Sequence, residues 1–526
     1  MTLTSKTWLA LKHYTDALEA YNSYTLTGNK SDLEITRRSC IRAVYSERNY
    51  KKAVDMLIAL GYIYIKTKNF RQAQKIFHHV SKFQPDRGAF GFGVTFGLQG
   101  EYSDALRANN EALKANSRYK EAWLNKGVSL QHLGRSEEAL LAHDKAIEID
   151  PNFADAWVNK GAALANLGRY QEALEAYNKA IAINPMDADA WSNMGVALTN
   201  LDMMIEALDA YDRAIMIDPN YAEAWSNKGT VFIKLKKYSD ALEACESAID
   251  IKPQLAEAWN NKGVSLSGLE RFEYAITAYE EAVELKPQYA DAWDNRGDAL
   301  IKLGRYLDAL EDFETAIRIN PKHARAWINK GIALSKLGKN EDALYAYDKS
   351  IEINPGNAWA WHNKAEVLRK LGRNDEASVA IDRAIESDSN IADFWSLKGV
   401  LLSMLNQQDE SYLAHKKAIE IDPLCPSFWN NYGFSLSKFG ETTSALSAYE
   451  KAIEINPNDA NFWNNKADAL HKLGRNDEAL ISSEKAIEFD PKLAVAWKTK
   501  AEVLESLNRN DEAQKAFDFA KELGHQ

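Results

Sequence analysis

The chain has 526 residues, 26% of them charged and 46% apolar, with a formal net charge of −11. That is the balance of a folded chain, and the excess of acid argues against a long surface built to neutralise nucleic-acid phosphates. No apolar run approaches the roughly 18 residues of a membrane helix, and the first residues, with Asp16 and Glu19, lack the apolar core of a secretory signal.

In chain order, residues 1–53 read as an irregular helical N-terminal cap. Tyr14, Ala17, Leu18, Ala20 and Tyr21 have a helical spacing that returns later at Tyr170, Ala173, Leu174, Ala176 and Tyr177, and the polar stretch 25–32 interrupts it. A shortened unit follows at 54–85 (Gly61, Phe70, Ala73, Phe77, Pro85), then one at 86–119 (Ala89, Gly93, Phe96, Gly100, Ala105, Ala112). From 120 to 526 twelve units start at 120, 154, 188, 222, 256, 290, 324, 358, 392, 426, 460 and 494. Each carries Trp at its fourth position, from Trp123 and Trp157 through Trp497, at a constant spacing of 34. A fixed period of this length marks a solenoid of stacked supersecondary units, which grows along one axis instead of dividing into separate cores.

Numbering each unit from its first residue, positions 4, 8 and 11 (Trp157, Gly161, Leu164) fall on one stripe of a helix. The spacing predicts that this stripe, Trp included, is buried. Position 8 is Gly or Ala in all twelve units, so a second helix can approach closely there. That second helix carries Ala at position 20, usually an aromatic at 24, and Ala at 27. Pro ends ten of the units, as at Pro151 and Pro185, and stops the helix. In the last unit, Gln514 and Lys521 replace apolar residues and make the outer face polar.

Trp157, Gly161, Leu164, Ala173, Tyr177, Ala180 and Pro185 together resemble the tetratricopeptide repeat (TPR) pattern over residues 54–526. One departure recurs: the Leu usual at position 7 is Lys or Arg in ten of the twelve units, for example Lys126, Lys160, Arg296 and Lys330. The resemblance implies an all-α fold, an α-solenoid: a right-handed superhelix of stacked antiparallel helix pairs whose first helices line a concave channel. At about 10 Å per repeat the channel would run on the order of 100 Å.

No catalytic constellation emerges. Gly331, Gly338, Lys339 and Asn340 imitate a phosphate loop with the wrong spacing. Gly91, Gly93 and Gly97 miss the dinucleotide fingerprint, and the adjacent His78 and His79 diverge on a helix. His143 and His415 take position 24, an expected core position. Cys40, Cys245 and Cys425 are far apart and in no metal spacing, which fits a reducing cytoplasm. The expectation is a protein without catalytic, cofactor or metal residues.

The candidate binding residues lie opposite the stripe. Position 6 is Asn in ten units: Asn125, Asn159, Asn193, Asn227, Asn261, Asn295, Asn329, Asn363, Asn431 and Asn465. Asn is a mediocre helix former, and its amide suits a bound main chain. The row resembles the asparagine ladder in the TPR superhelix of O-linked N-acetylglucosamine transferase, whose catalytic domain has no counterpart here. The alternative is that each Asn bridges neighbouring first helices. The Lys at position 7 is expected to lay its stem over the Trp. Arg325, Trp359, His362 and Leu397 interrupt the pattern in consecutive units and read either as a partner-anchoring patch or as drift in the array.

The reading is a non-enzymatic, cytoplasmic scaffold that binds an extended peptide or protein segment in the channel, without cofactor, membrane or nucleic acid, and with self-association left open. The rivals are a nucleic-acid solenoid using the Lys row, and the binding arm of a separately encoded enzyme.

Overall fold

A computed structural model describes residues 5–47 and 50–524, and these form thirty α-helices with no strand. Residues 1–4 and 48–49 of the expected N-terminal cap lie outside the described residues. The rest of that segment holds two helices packed on each other, α1 (Ser5–Thr27) and α2 (Lys30–Ser46); the next pair begins with α3 (Lys51–Lys66). No helix among the described residues is long and apolar enough to cross a membrane. The chain divides into two units, Met1–Leu269, whose last helix is α15 (Ala256–Gly268), and Glu270–Gln526, which runs from α16 (Phe272–Leu285) to α30 (Asn510–Glu522).

Within each unit the regular repeats read out as alternating helices, a first helix of 13 residues and a second of 14, shortened to 13 in the last repeat. The pair α7 (Lys120–His132) and α8 (Ser136–Ile149) is representative. The turn between them needs one left-handed residue, which Gly134 supplies at φ +74° without the Cβ clash an L side chain would incur. Within each unit, consecutive first helices of the repeats also touch, as α7 does α9 (Ala154–Asn166) and α17 (Ala290–Lys302) does α19 (Ala324–Lys336). The first helices thus form a continuous face in each unit.

The glycine at position 8 is a notch for the ring at position 24. A Cβ on Gly161 would lie 2.5 Å from the Tyr177 ring, and one on Gly331 would lie 2.5 Å from Tyr347. Both tyrosines are buried, so the rings have nowhere to go. In two of the three repeats with Ala at position 8, Ala365 and Ala467, position 24 shrinks to Ile381 and Ser483; in the last repeat Ala501 keeps Phe517, only partly buried there. Gly331→Ala should therefore destabilise its repeat by about 1–3 kcal/mol through overpacking, although alanine favours a helix by about 1 kcal/mol. Adding Tyr347→Ile should recover most of the loss. Urea unfolding of the single and double variants checks both statements.

One expectation needs correction. The buried line of each first helix runs through positions 3, 8, 10 and 11, as in Ala156, Gly161, Ala163 and Leu164. The tryptophans sit at its margin and are only partly buried. The reason is a hydrogen bond: each indole N–H donates to a carbonyl six residues earlier, at 2.9 Å for Trp157 to Pro151 and 2.9 Å for Trp395 to Ser389. The ring is thereby clamped at the joint between repeats, with one face left for another group.

Candidate functional site

That other group is the cation at position 7. In all ten repeats that have one, the Lys or Arg head lies over the ring of its own Trp, at 4.7 Å for Arg296 over Trp293 and 5.9 Å for Lys500 over Trp497. In nine of them it also pairs with an acid at position 25 of the preceding second helix. Examples are Lys160 with Asp144 at 2.8 Å, Lys364 with Asp348 at 2.6 Å and Lys398 with Asp382 at 2.7 Å. The two repeats without the cation also lack the acid: Met194 faces a repeat ending in Asn178, and Tyr432 one with Lys416. The Lys row is thus internal wiring between repeats. It has few unpaired charges to offer a phosphate backbone.

The Asn row lies on the first-helix face and divides in two. Asn261 donates to Ser226 and, at 2.9 Å, to the Thr230 hydroxyl; Asn329 donates to Asp294 at 3.0 Å, Asn431 to Ser396 at 3.1 Å and Asn465 to Asn430 at 2.8 Å. Each of these amides ties its helix to the preceding first helix, mostly to its position 5. Asn295 accepts from Arg325 at 2.7 Å. When position 5 of the preceding repeat is apolar, no such tie exists. Phe90, Leu124, Val158 and Ile328 precede Asn125, Asn159, Asn193 and Asn363 in this sense. Asn159 turns back to its own Asp155 carbonyl at 2.8 Å. The side chains of Asn125, Asn193, Asn227 and Asn363 are partly buried and form no hydrogen bond with any described residue. Asn125 opens on a cavity of about 340 Å³ that is also lined by Gly93, Gly97, Leu98 and the stacked pair Tyr102 and His132.

The four residues of the expected patch separate. Trp359, 47% exposed, meets His362 edge-on at 5.5 Å between ring centroids, and both meet Phe394, at 5.2 and 5.0 Å. Leu397 is buried, and with His362 it lines a cavity of about 280 Å³ whose walls include Glu366, Arg369, Asp393 and Asn431. Burial lowers the affinity of His362 for a proton, against the pull of Glu366 and Asp393. Arg325 turns away to the preceding repeat, where the fully buried Asp294 accepts from its Nε at 2.5 Å. Sequence reasoning missed Phe394. Its signal was present, since position 3 is Ala in nine of the twelve repeats. Among the described residues no cluster of three or more His, Cys, Asp or Glu is arranged to hold a metal ion.

Models of the tetratricopeptide repeat match residues 54–87, 121–153, 154–187, 188–221, 222–255, 256–289, 278–311, 295–358, 334–401, 426–459 and 448–481. No curated protein matches the chain. Among solved structures, a crystal structure of the APC/C hetero-tetramer Cut9–Hcn1 is similar with a TM-score of 0.53 and 17% identity, covering 90% of this chain and 93% of that one. YrrB, described as a TPR protein with an unusual peptide-binding site, is 30% identical over 36% of this chain and 98% of its own, with a TM-score of 0.30.

Proposed function

The chain belongs to the tetratricopeptide repeat family, and we propose that it is a non-enzymatic scaffold that grips an extended polypeptide on its first-helix face. The observation that carries this reading is the set of partly buried amides that form no hydrogen bond with a described residue, Asn125, Asn193, Asn227 and Asn363. Their amide atoms reach solvent, so a ligand can take them up without breaking an internal hydrogen bond. A peptide main chain offers alternating donors and acceptors to a row of such amides without demanding a particular side-chain sequence. Three of the four fall in the first unit. In the second, the exposed ring of Trp359 beside His362 and Phe394 is the natural anchor for an apolar side chain. Many weak contacts along a pre-formed face then add up, because the scaffold side has little ordering left to do.

The test uses peptides selected by display on the wild-type chain. Asn125→Ala, Asn193→Ala and Asn227→Ala combined should weaken binding about 100-fold, at roughly 1 kcal/mol per lost hydrogen bond, with the melting temperature unchanged. Asn261→Ala, Asn329→Ala and Asn431→Ala should instead lower stability, since those amides tie repeats together. Peptides that bind the first triple variant as tightly as wild type would remove the row from the grip.

A further inference from the structure

The wiring between repeats has one open joint. At α7 the cation is present, as Lys126 with its head 4.8 Å above the centroid of Trp123, but position 25 of the preceding repeat is Asn110 instead of an acid. Nine joints have both charges and two have neither; this one has only the cation. The carboxylate on α8 whose charge acts on it, Glu138, is held by Arg135 at 2.7 and 2.6 Å. Asn110 is itself partly buried and forms no side-chain hydrogen bond with a described residue. Between α6 (Tyr102–Ala115) and α7 the two side chains line a cavity of about 540 Å³, together with Arg107, Leu113, Lys114 and Trp123. Arg107 is paired with Asp104, and Lys114 with Glu111 at 2.6 Å. None of the residues that line it lines the cavity beside Asn125.

We infer that this groove is a second binding site, for the carboxylate of an aspartate or glutamate presented by an acidic segment of a partner polypeptide. The incoming group takes the place that the preceding repeat's acid holds at the other joints. It accepts from the Lys126 ammonium, already seated on the indole face, and from the Asn110 amide. Burial without an acid destabilises the charged form of Lys126, so its proton affinity is lowered, and a carboxylate would reverse that. Glu111 in the wall favours a monoanion over a phosphate dianion. The net charge of −11 repels acidic segments elsewhere on the chain, which makes the open joint selective.

The probe is a fluorescein-labelled hexaglutamate peptide, acetylated and amidated, titrated into the full chain at low salt and followed by anisotropy beside its hexaglutamine counterpart. Saturable binding of hexaglutamate alone is expected. Asn110→Asp supplies the missing acid from within, and Lys126→Met copies the uncharged joint at Met194; each should weaken binding at least tenfold while circular dichroism stays unchanged. Wild-type affinity in either variant, equal binding of hexaglutamine, or displacement by inorganic phosphate at concentrations below those of acetate would overturn the assignment.

Discussion

Arg296→Ala is expected to destabilise its repeat by about 3–5 kcal/mol, the loss that follows when one partner of a buried ion pair is removed. The cause lies in position 23, which is Ala or Ser in the other eleven regular repeats but Asp312 here. The Asp312 side chain is only 3% exposed, and it accepts a forked pair of bonds from Arg296, from Nε at 2.7 Å and from Nη2 at 2.6 Å. This is also the one regular repeat with Arg instead of Lys at position 7, because only a planar guanidinium reaches both carboxylate oxygens at once. Truncating the arginine strands the carboxylate. Arg296→Ala with Asp312→Ala restores the small residue usual at position 23, and the double variant should lie within about 1–2 kcal/mol of wild type. In a stack of repeats the damage stays local, so the measurement is hydrogen exchange of α17 and α18 (Tyr306–Ile319) beside urea unfolding. Losses that simply add in the double variant would show that the two residues are not coupled.

Acid should loosen two specific repeats well before general acid unfolding. His143 and His415 occupy position 24, where Tyr or Phe usually fills the glycine notch, and burial brings each down to about 4. His415 Nε2 lies 2.8 Å from the Ser435 hydroxyl and His143 Nε2 lies 3.3 Å from the Gln131 amide oxygen, while both Nδ1 atoms are buried without a partner. Protonation would add a donor at Nδ1 that has nothing to donate to. The folded state therefore binds fewer protons than the unfolded chain, whose histidines titrate near 6.5. Stability is complete above pH 6.5 and falls as the pH drops toward 4, by about 3 kcal/mol for each histidine at the lower end. His143→Tyr and His415→Tyr should each remove that slope from its own repeat, read by hydrogen exchange at pH 7 and pH 4.5. An unchanged slope would mean that these rings are not held neutral by burial.

The two-helix repeat, its turn and its phase were legible because tryptophan, glycine and alanine recur at fixed positions. What misled was the margin of the buried stripe. A helical wheel places Trp157, Gly161 and Leu164 on one arc, but the centre of burial is set by the neighbouring helices, and they favour Ala156 and Ala163. The cations at position 7 were visible as a departure, and their stems do cover the tryptophans. Their acids were not recognised, because Lys160 and Asp144 are 16 residues apart and belong to different repeats. The asparagine row could be seen, but a tie needs a polar residue at position 5 of the preceding repeat, which Ser396 supplies before Asn431 and Leu124 does not before Asn159, and Asn227 stays untied even beside Ser192. The patch was legible as irregularity at Trp359 and His362. The turn of Arg325 toward Asp294 required knowing that Asp294 is buried in the adjoining helix.

The charge pairing at the joints also constrains how such a gene can lengthen or shorten. Loss of one whole period by unequal recombination joins a second helix to a first helix that it never met. Excising 324–357 would bring Glu314 against Lys364, and the new seam would close as the old ones did. Excising 188–221 would set Asn178 against Lys228 and leave a cation without its acid. Repeats with a charged edge on both sides are interchangeable parts, whereas those beside Met194, Tyr432 and Lys126 are fixed in their order.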